Sequence, residues 1–337
     1  ENYIYDLHLA PSVVYSINNA HYIGANFMYK NTKEESSNMN VNTYVDQSYF
    51  FLFGLGNAIN YVGSGRTMNY ESDAIEGGLQ YQYNDAFKLL AEVNYTIQAE
   101  DANIAFTNTR PVGTILMKQW NSKLNFQKQG EEYTNIADLN FSSSKSNGIE
   151  YITQFESGVE SDGYYVKYKS TRSKYNKTSA QLNYSLIKNK DWAYNWKANA
   201  FVEYNKLDNK YLIPTSVILV ENLNYGLSFD KLFTLSAENK SQLNIGAKVA
   251  LKNNLKKEYN YSGSDINAVT VTDLEKRNFE YYSSDFTHLE VPITYSQSIK
   301  KNSKTQFFVK ASGQLVTTKN SYFNNRKSFG ISLGATF

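Results

Sequence analysis

The chain closes with Ser328-Phe329-Gly330-Ile331-Ser332-Leu333-Gly334-Ala335-Thr336-Phe337, in which every second residue is apolar and the last residue is an aromatic ring. Successive side chains of a β-strand point to opposite faces, so this alternation predicts a strand with one apolar and one polar face. The apolar face of such a strand needs an apolar environment, which could be a protein core or a lipid bilayer.

The same period of two recurs along the whole chain, and helical periodicity is hard to find. About thirteen segments alternate in this way, at about 6–17, 23–29, 75–83, 87–97, 120–126, 137–141, 180–186, 192–204, 223–229, 243–251, 289–295, 307–315 and 328–337. Residues 133–157 and 164–187 additionally read as one long hairpin. The pattern therefore predicts an all-β protein.

The composition excludes several classes of function. The 337 residues include no cysteine, which rules out disulfides and cysteine-based metal sites or nucleophiles. A formal net charge of +2 gives no overall bias toward nucleic acid, and we expect no nucleic-acid partner. Aromatic residues reach 15%, led by 29 tyrosines, and tyrosine suits a surface that is apolar on one side and wet on the other.

Two architectures accommodate one-sided strands: a soluble sandwich and a transmembrane barrel with its apolar faces in lipid. Three observations favour the barrel. Aromatic rings cluster at the ends of the alternating segments, and many segments are near the ten residues that a tilted strand needs to cross a bilayer. Very short connections, at 18–20, 84–86 and 188–191, alternate with long ones at about 31–73, 99–113 and 253–281.

The closing strand resembles the C-terminal signature of bacterial outer-membrane β-barrels, carried here by Phe329, Ile331, Leu333 and Phe337. This resemblance implies that the last strand is the assembly signal read by the barrel-insertion machinery. The composition, rich in Tyr, Asn and Lys, also resembles that of outer-membrane proteins of Bacteroidota. In particular, it resembles an uncharacterised barrel family often encoded beside TonB-dependent transporters. It implies an integral location in the Gram-negative outer membrane, in contact with lipid and other outer-membrane proteins.

We therefore predict one domain over residues 1–337: an antiparallel up-and-down transmembrane β-barrel of about 14 strands, with a range of 12–16. Long loops are expected outside the cell and short turns in the periplasm. The thirteen recognised segments form an odd number, whereas single-chain bacterial barrels usually have an even one. Either one strand escapes recognition, or the chain starts within the barrel after an upstream segment.

An apolar segment stands out within the first long loop. It contains Phe50, Phe51, Leu52, Phe53 and Leu55, which should not face water together. These residues are expected to fold into the lumen as a plug, to pack on neighbouring loops or to contact a partner.

Residues that could support catalysis are sparse. Of the three histidines, His288 lies two residues from Glu290 on the polar face, so the two form a candidate polar pair in the lumen. No oriented nucleophile accompanies them. We therefore expect no enzymatic activity, no cofactor and no metal site.

Four functions remain open from the sequence. The first is an accessory or structural component of a multi-protein outer-membrane assembly for transport or biogenesis, which the resemblance favours. The second is a passive porin-like channel for small solutes, which the polar lumen face favours. The third is the C-terminal barrel portion of a TonB-dependent transporter, and an enzyme ranks last.

Overall fold

The computed structural model of the chain describes residues 2–39, 47–52, 58–63, 65–105, 109–158, 163–190, 193–213, 215–236, 240–298, 305–320 and 322–336. These residues form sixteen strands and one helical segment. The strands are β1 (Asn2–Leu9), β2 (Ser12–Ser16), β3 (His21–Met39), β4 (Gln47–Leu52), β5 (Ala58–Gly63), β6 (Gly65–Asn84), β7 (Lys88–Ala105), β8 (Arg110–Gln129), β9 (Tyr133–Glu156), β10 (Gly163–Lys190), β11 (Ala193–Leu212), β12 (Thr215–Ser236), β13 (Ser241–Tyr261), β14 (Phe286–Ser298), β15 (Gln306–Thr318) and β16 (Arg326–Thr336).

The predicted fold class is confirmed in its all-β composition, its strand number and its topology. Fourteen strands form one antiparallel sheet in which strands adjacent in the sequence pair side by side, as expected for an up-and-down arrangement. Among the described residues, strands β4 and β5 pair only with each other. No helix in the described ranges is both long and apolar enough to cross a membrane.

Strands β1 and β2 together occupy one edge of the sheet. Both pair with β3, and they are separated where Pro11, which has no backbone N–H, interrupts the ladder. Strand β16 forms the other edge. With β1 and β2 at a single position, thirteen positions cross the sheet, so its two edges run in the same direction. Among the described residues no pairing joins these two edges.

Two of the three short turns predicted from the sequence lie where expected, at 17–20 and 85–87, whereas residues 188–190 of the third still belong to β10. The long hairpin is also confirmed, since β9 and β10 pair from Tyr133 opposite Lys188 up to Glu156 opposite Gly163. The prediction of long loops was wrong over much of their length. Residues 31–39 and 65–73 extend β3 and β6, and residues 99–105 extend β7.

Burial in this sheet is inverted relative to a soluble protein. Leu79 on β6 and Leu227 on β12 lie on the outer face and are 62% and 66% exposed. Thr96 and Asn222 point to the opposite face and are only 8% and 9% exposed. The polar face is therefore the enclosed one, and the apolar face points outward.

Farther from the short turns, the outer face becomes polar and the inner face becomes apolar. On β7 the last large outward apolar residue is Ile97, and Asp101 occupies that face four residues later. Ile104 points inward instead and packs with Met68 and Val112 in a buried apolar cluster. The distal part of the sheet, which we call the extension, thus has a protein core of the ordinary kind.

Aromatic rings form a belt on the outer face close to the short turns. Consecutive pairs have ring centroids 4.7–6.1 Å apart: Tyr83 with Phe87, Phe87 with Phe126, Tyr133 with Trp196, and Trp196 with Phe229. Rings at such separations attract one another, and Tyr and Trp favour the interface between membrane and water.

Candidate functional site: an inner cavity beside a docked helical segment

The helical segment lies between β13 and β14 and packs against the inner face of the sheet. It begins with a π-helical turn, Thr270–Glu275, and continues as α1, Lys276–Ser283. Val271 is fully buried, and the ring of Phe279 lies 5.5 Å from that of Tyr259 on β13.

A buried carboxylate fastens the start of this segment to two strands. Ser216 on β12 and Tyr259 on β13 both donate hydrogen bonds to Glu275 Oε2, each at 3.1 Å. Burial raises the pKa of Glu275, and this effect outweighs the opposite effect of the two donated hydrogen bonds. The carboxyl group therefore binds a proton more readily here than in water.

The end of the segment is fixed through one backbone carbonyl. Lys252 Nζ on β13 and Asn222 Nδ2 on β12 donate to the carbonyl oxygen of Tyr282 at 2.7 and 3.0 Å. Helix ends leave carbonyl oxygens without intrahelical partners, and side-chain donors from the barrel wall satisfy this one.

A cavity of about 640 Å³ lies between Tyr282 and the inner wall formed by β7 to β12. Its lining is mixed: Ile115, Met117 and Val220 are apolar, whereas Gln98, Ser144 and Asn205 are polar. Glu100 also lines it, and burial raises the pKa of Glu100, with the nearby Glu34 carboxylate adding to the effect. The site combines apolar walls with a few polar groups, as small-molecule pockets commonly do.

A second cavity, of about 280 Å³, is lined by more polar side chains. Glu92, Lys123 and Glu203 lie on its wall together with asparagine and glutamine amides. Both signs of charge are present, so the wall lacks the single-sign ring that gives a pore strong ion selectivity.

The residues of the C-terminal signature lie on the outer face of the edge strand β16. Phe329, Ile331 and Leu333 are 73%, 65% and 75% exposed and stand opposite Gly313, Ala311 and Val309. They form one continuous apolar row, as expected from the alternation. Phe337 lies outside the described residues.

The apolar segment of the first long loop forms a hairpin where the structure describes it. Phe50, Phe51 and Leu52 belong to β4 and stand opposite residues 58–60 of β5. Phe53 and Leu55 lie outside the described residues. The expectation that this segment plugs the lumen or contacts a partner stays a prediction.

His288 and Glu290 share the inner face of β14, as the sequence indicates. His288 stands opposite Val316, and Glu290 stands opposite Gln314 and Lys248. In the part of the chain that is described, no hydrogen bond joins the two side chains, and no cluster of three metal-ligating residues exists. A role for this pair stays a prediction.

The sequence analysis missed the helical segment. Its inward residues Val271, Glu275, Phe279 and Tyr282 follow a spacing of four, four and three, which is a helical signal. Only two of these positions are purely apolar, so hydrophobic periodicity alone does not reveal the segment.

The fold and the site together define a class of protein: an all-β chain with an up-and-down antiparallel sheet, an enclosed polar face and a helical segment docked on that face. The chain belongs to the Family of unknown function (DUF6850), whose model matches residues 1–337. No curated protein matches it. Among solved structures it is similar to "OmpT (in-vitro folded), an outer membrane protein of Vibrio cholerae", with 9% identity, a TM-score of 0.24, and coverage of 94% of this chain and 97% of that chain.

Proposed function

We propose that the protein is an integral outer-membrane β-barrel with a non-enzymatic, accessory role in a multi-protein outer-membrane assembly. Inverted burial supports the membrane location, because an outward apolar face is stable only against lipid. On β7 the outward apolar residues run from Leu89 to Ile97, and these nine residues match the length of a tilted transmembrane strand.

In this proposal the short turns face the periplasm and the extension stands outside the cell. Lipid surrounds the apolar band, and the barrel-insertion machinery binds the row of Phe329, Ile331 and Leu333 during assembly. The extension offers the surface for another outer-membrane protein, since it rises beyond the lipid and has its own core.

The docked helical segment carries the argument for an accessory role. It occupies the inner face on the extracellular side and is fastened through Glu275 and Tyr282 to two strands. An open diffusion channel needs a free path along that face, and the segment stands in it.

A porin-like channel is the second candidate. The cavity of about 280 Å³ continues the polar inner face below the larger cavity, so a path could open if the segment leaves. This candidate predicts conductance from the wild-type protein.

Planar-bilayer recordings distinguish the two candidates. For an accessory barrel, we expect the wild type to give no steady conductance and to co-purify with a defined membrane protein in mild detergent. The double substitution Glu275→Ala/Phe279→Ala removes the carboxylate that Ser216 and Tyr259 bind and the ring that packs on Tyr259, so it weakens docking and should produce conductance. Steady ohmic conductance of the wild type, equal to that of the double variant, would overturn the accessory proposal in favour of the channel.

A further inference from the structure

Four lysines lie on the outer face of β8 to β11, at or beyond the upper limit of the apolar band. They are Lys118, Lys145, Lys174 and Lys210, and all four are exposed. Trp120, two residues from Lys118 on the same face, is 51% exposed and packs on Tyr95 at 4.5 Å between ring centroids. The patch therefore borders the lipid-facing band directly.

The sheet register brings these lysines together in like-charged pairs. Lys118 stands directly opposite Lys145, and Lys174 stands directly opposite Lys210. Residues directly opposite on antiparallel strands have Cβ atoms about 4.5–5.5 Å apart, and like charges at this position are destabilising. Asn147 and Asn176 stand between the two pairs and supply further hydrogen-bond donors.

Two other lysines on the outer face of the extension, by comparison, stand opposite an acid in the same register. Lys33 stands opposite Glu71 with an Nζ–Oε1 distance of 2.8 Å. Lys206 stands opposite Glu221 with an Nζ–Oε1 distance of 3.0 Å.

In the four-lysine patch, by contrast, the described part of the chain offers one carboxylate within 4 Å: that of Asp208, 3.6 Å from Lys210. An anion from outside the chain is therefore needed to offset the repulsion between the paired lysines.

We propose that this patch binds the phosphate groups of an anionic lipid in the outer leaflet of the membrane. The inference rests on the proposed membrane location, because only in a bilayer do lipid headgroups lie beside Trp120 and Lys118. Paired ammonium groups suit a phosphate, which accepts several charge-assisted hydrogen bonds at once. Basic residues next to a membrane attract anionic lipids in the same way.

The test uses the wild-type protein in phosphatidylcholine nanodiscs, titrated with bisphosphorylated lipid A or with dephosphorylated lipid A. Native mass spectrometry counts the bound lipids. We expect the phosphorylated form to bind at least about tenfold more tightly, since each lysine near a membrane surface contributes on the order of a threefold to tenfold gain. Lys118→Gln/Lys145→Gln should abolish this preference.

Lys319→Gln/Lys327→Gln is the matched control, because it removes two exposed lysines from the same side of the molecule. It should leave the preference unchanged. Equal binding of both lipids, or loss of the preference in the control, overturns the proposal. Displacement of lipid A by an equal concentration of inorganic phosphate also overturns it, because the ligand would then be a free anion.

Flotation of the protein with phosphatidylcholine vesicles after a urea wash tests insertion separately. Failure to float contradicts the membrane location itself. Flotation without a preference for phosphorylated lipid contradicts only the lipid site.

Discussion

Glu275 shows how a single residue links the helical segment to the barrel. Its carboxylate accepts hydrogen bonds from Ser216 and Tyr259, yet burial still favours its protonated form. Nothing in the sequence marks this glutamate, because neither of its partners is near it in the chain. The contact depends on how β12 and β13 align with each other, and the alternation within each segment does not predict that alignment.

We predict that Glu275 makes docking of the segment sensitive to pH. A carboxyl whose folded-state pKa is raised gives stability that is complete below its ordinary pKa of 4.5 and is lost as pH rises through the raised value. The wild type should therefore gain thermal stability between neutral pH and pH 4.5 relative to Glu275→Gln. Thermal unfolding in detergent measures this difference. The exposed Glu258→Gln should behave as the wild type, and parallel pH profiles of wild type and Glu275→Gln would contradict the prediction.

At the scale of the strand, the change of face explains why long loops were predicted. Up to Ile97 all apolar residues of β7 except Leu90 occupy odd positions, whereas Ala102 and Ile104 occupy even ones. A pattern fitted to one face therefore ends at Ile97, although the strand continues to Ala105. In the proposed membrane location, the environment of the apolar side chains changes from lipid outside the sheet to a protein core inside it. The sequence shows the change of face but does not show that the strand continues through it.

Two isoleucines on β7 give a matched test of this interpretation. We expect Ile104→Ala to destabilise the extension by about 2–5 kcal/mol, since it leaves a cavity in a packed core. Ile97→Ala should cost less than about 1 kcal/mol, because lipid chains fill the space that the side chain leaves. Hydrogen exchange of the β6 and β7 amides in micelles measures both. Equal effects of the two substitutions would argue against two environments along one strand.

At the scale of the whole molecule, the class of fold could be predicted from the sequence, but the arrangement of side chains and the helical segment in the interior could not. Alternation predicted the strands, their approximate number and two of the short turns, because in the proposed membrane location lipid imposes the same requirement on every strand that crosses it. The interior obeys no such uniform rule. Where the helical segment docks and which side chains enclose the cavity of about 640 Å³ depend on contacts between distant parts of the chain.

Lysine substitutions at two exposed positions test the inverted architecture as a whole. Leu227 and Tyr168 are similarly exposed, at 66% and 71%, but Leu227 lies within the apolar band and Tyr168 within the extension. In phospholipid vesicles, Leu227→Lys should cost about 2–4 kcal/mol, the range for a lysine facing the bilayer midplane. Tyr168→Lys should change stability by less than about 0.5 kcal/mol, as most exposed substitutions do. Urea unfolding in the vesicles measures both. Similar small effects would indicate that water, not lipid, covers Leu227.

The exchange of faces along β6 and β7 also bears on how the strands find their alignment. Sliding one strand by a single residue turns every side chain to the opposite face. In an ordinary half-buried sheet such an error has one penalty, the exposure of the core. Here a slip of β6 would place Glu76 against lipid and turn Met68 toward water, and a slip of β7 would do the same to Thr96 and Ile104. In the proposed membrane location, the register of each long strand is therefore fixed twice. A misaligned hairpin would lose stability both in the apolar band, where polar side chains would meet lipid, and in the extension, where core residues would meet water.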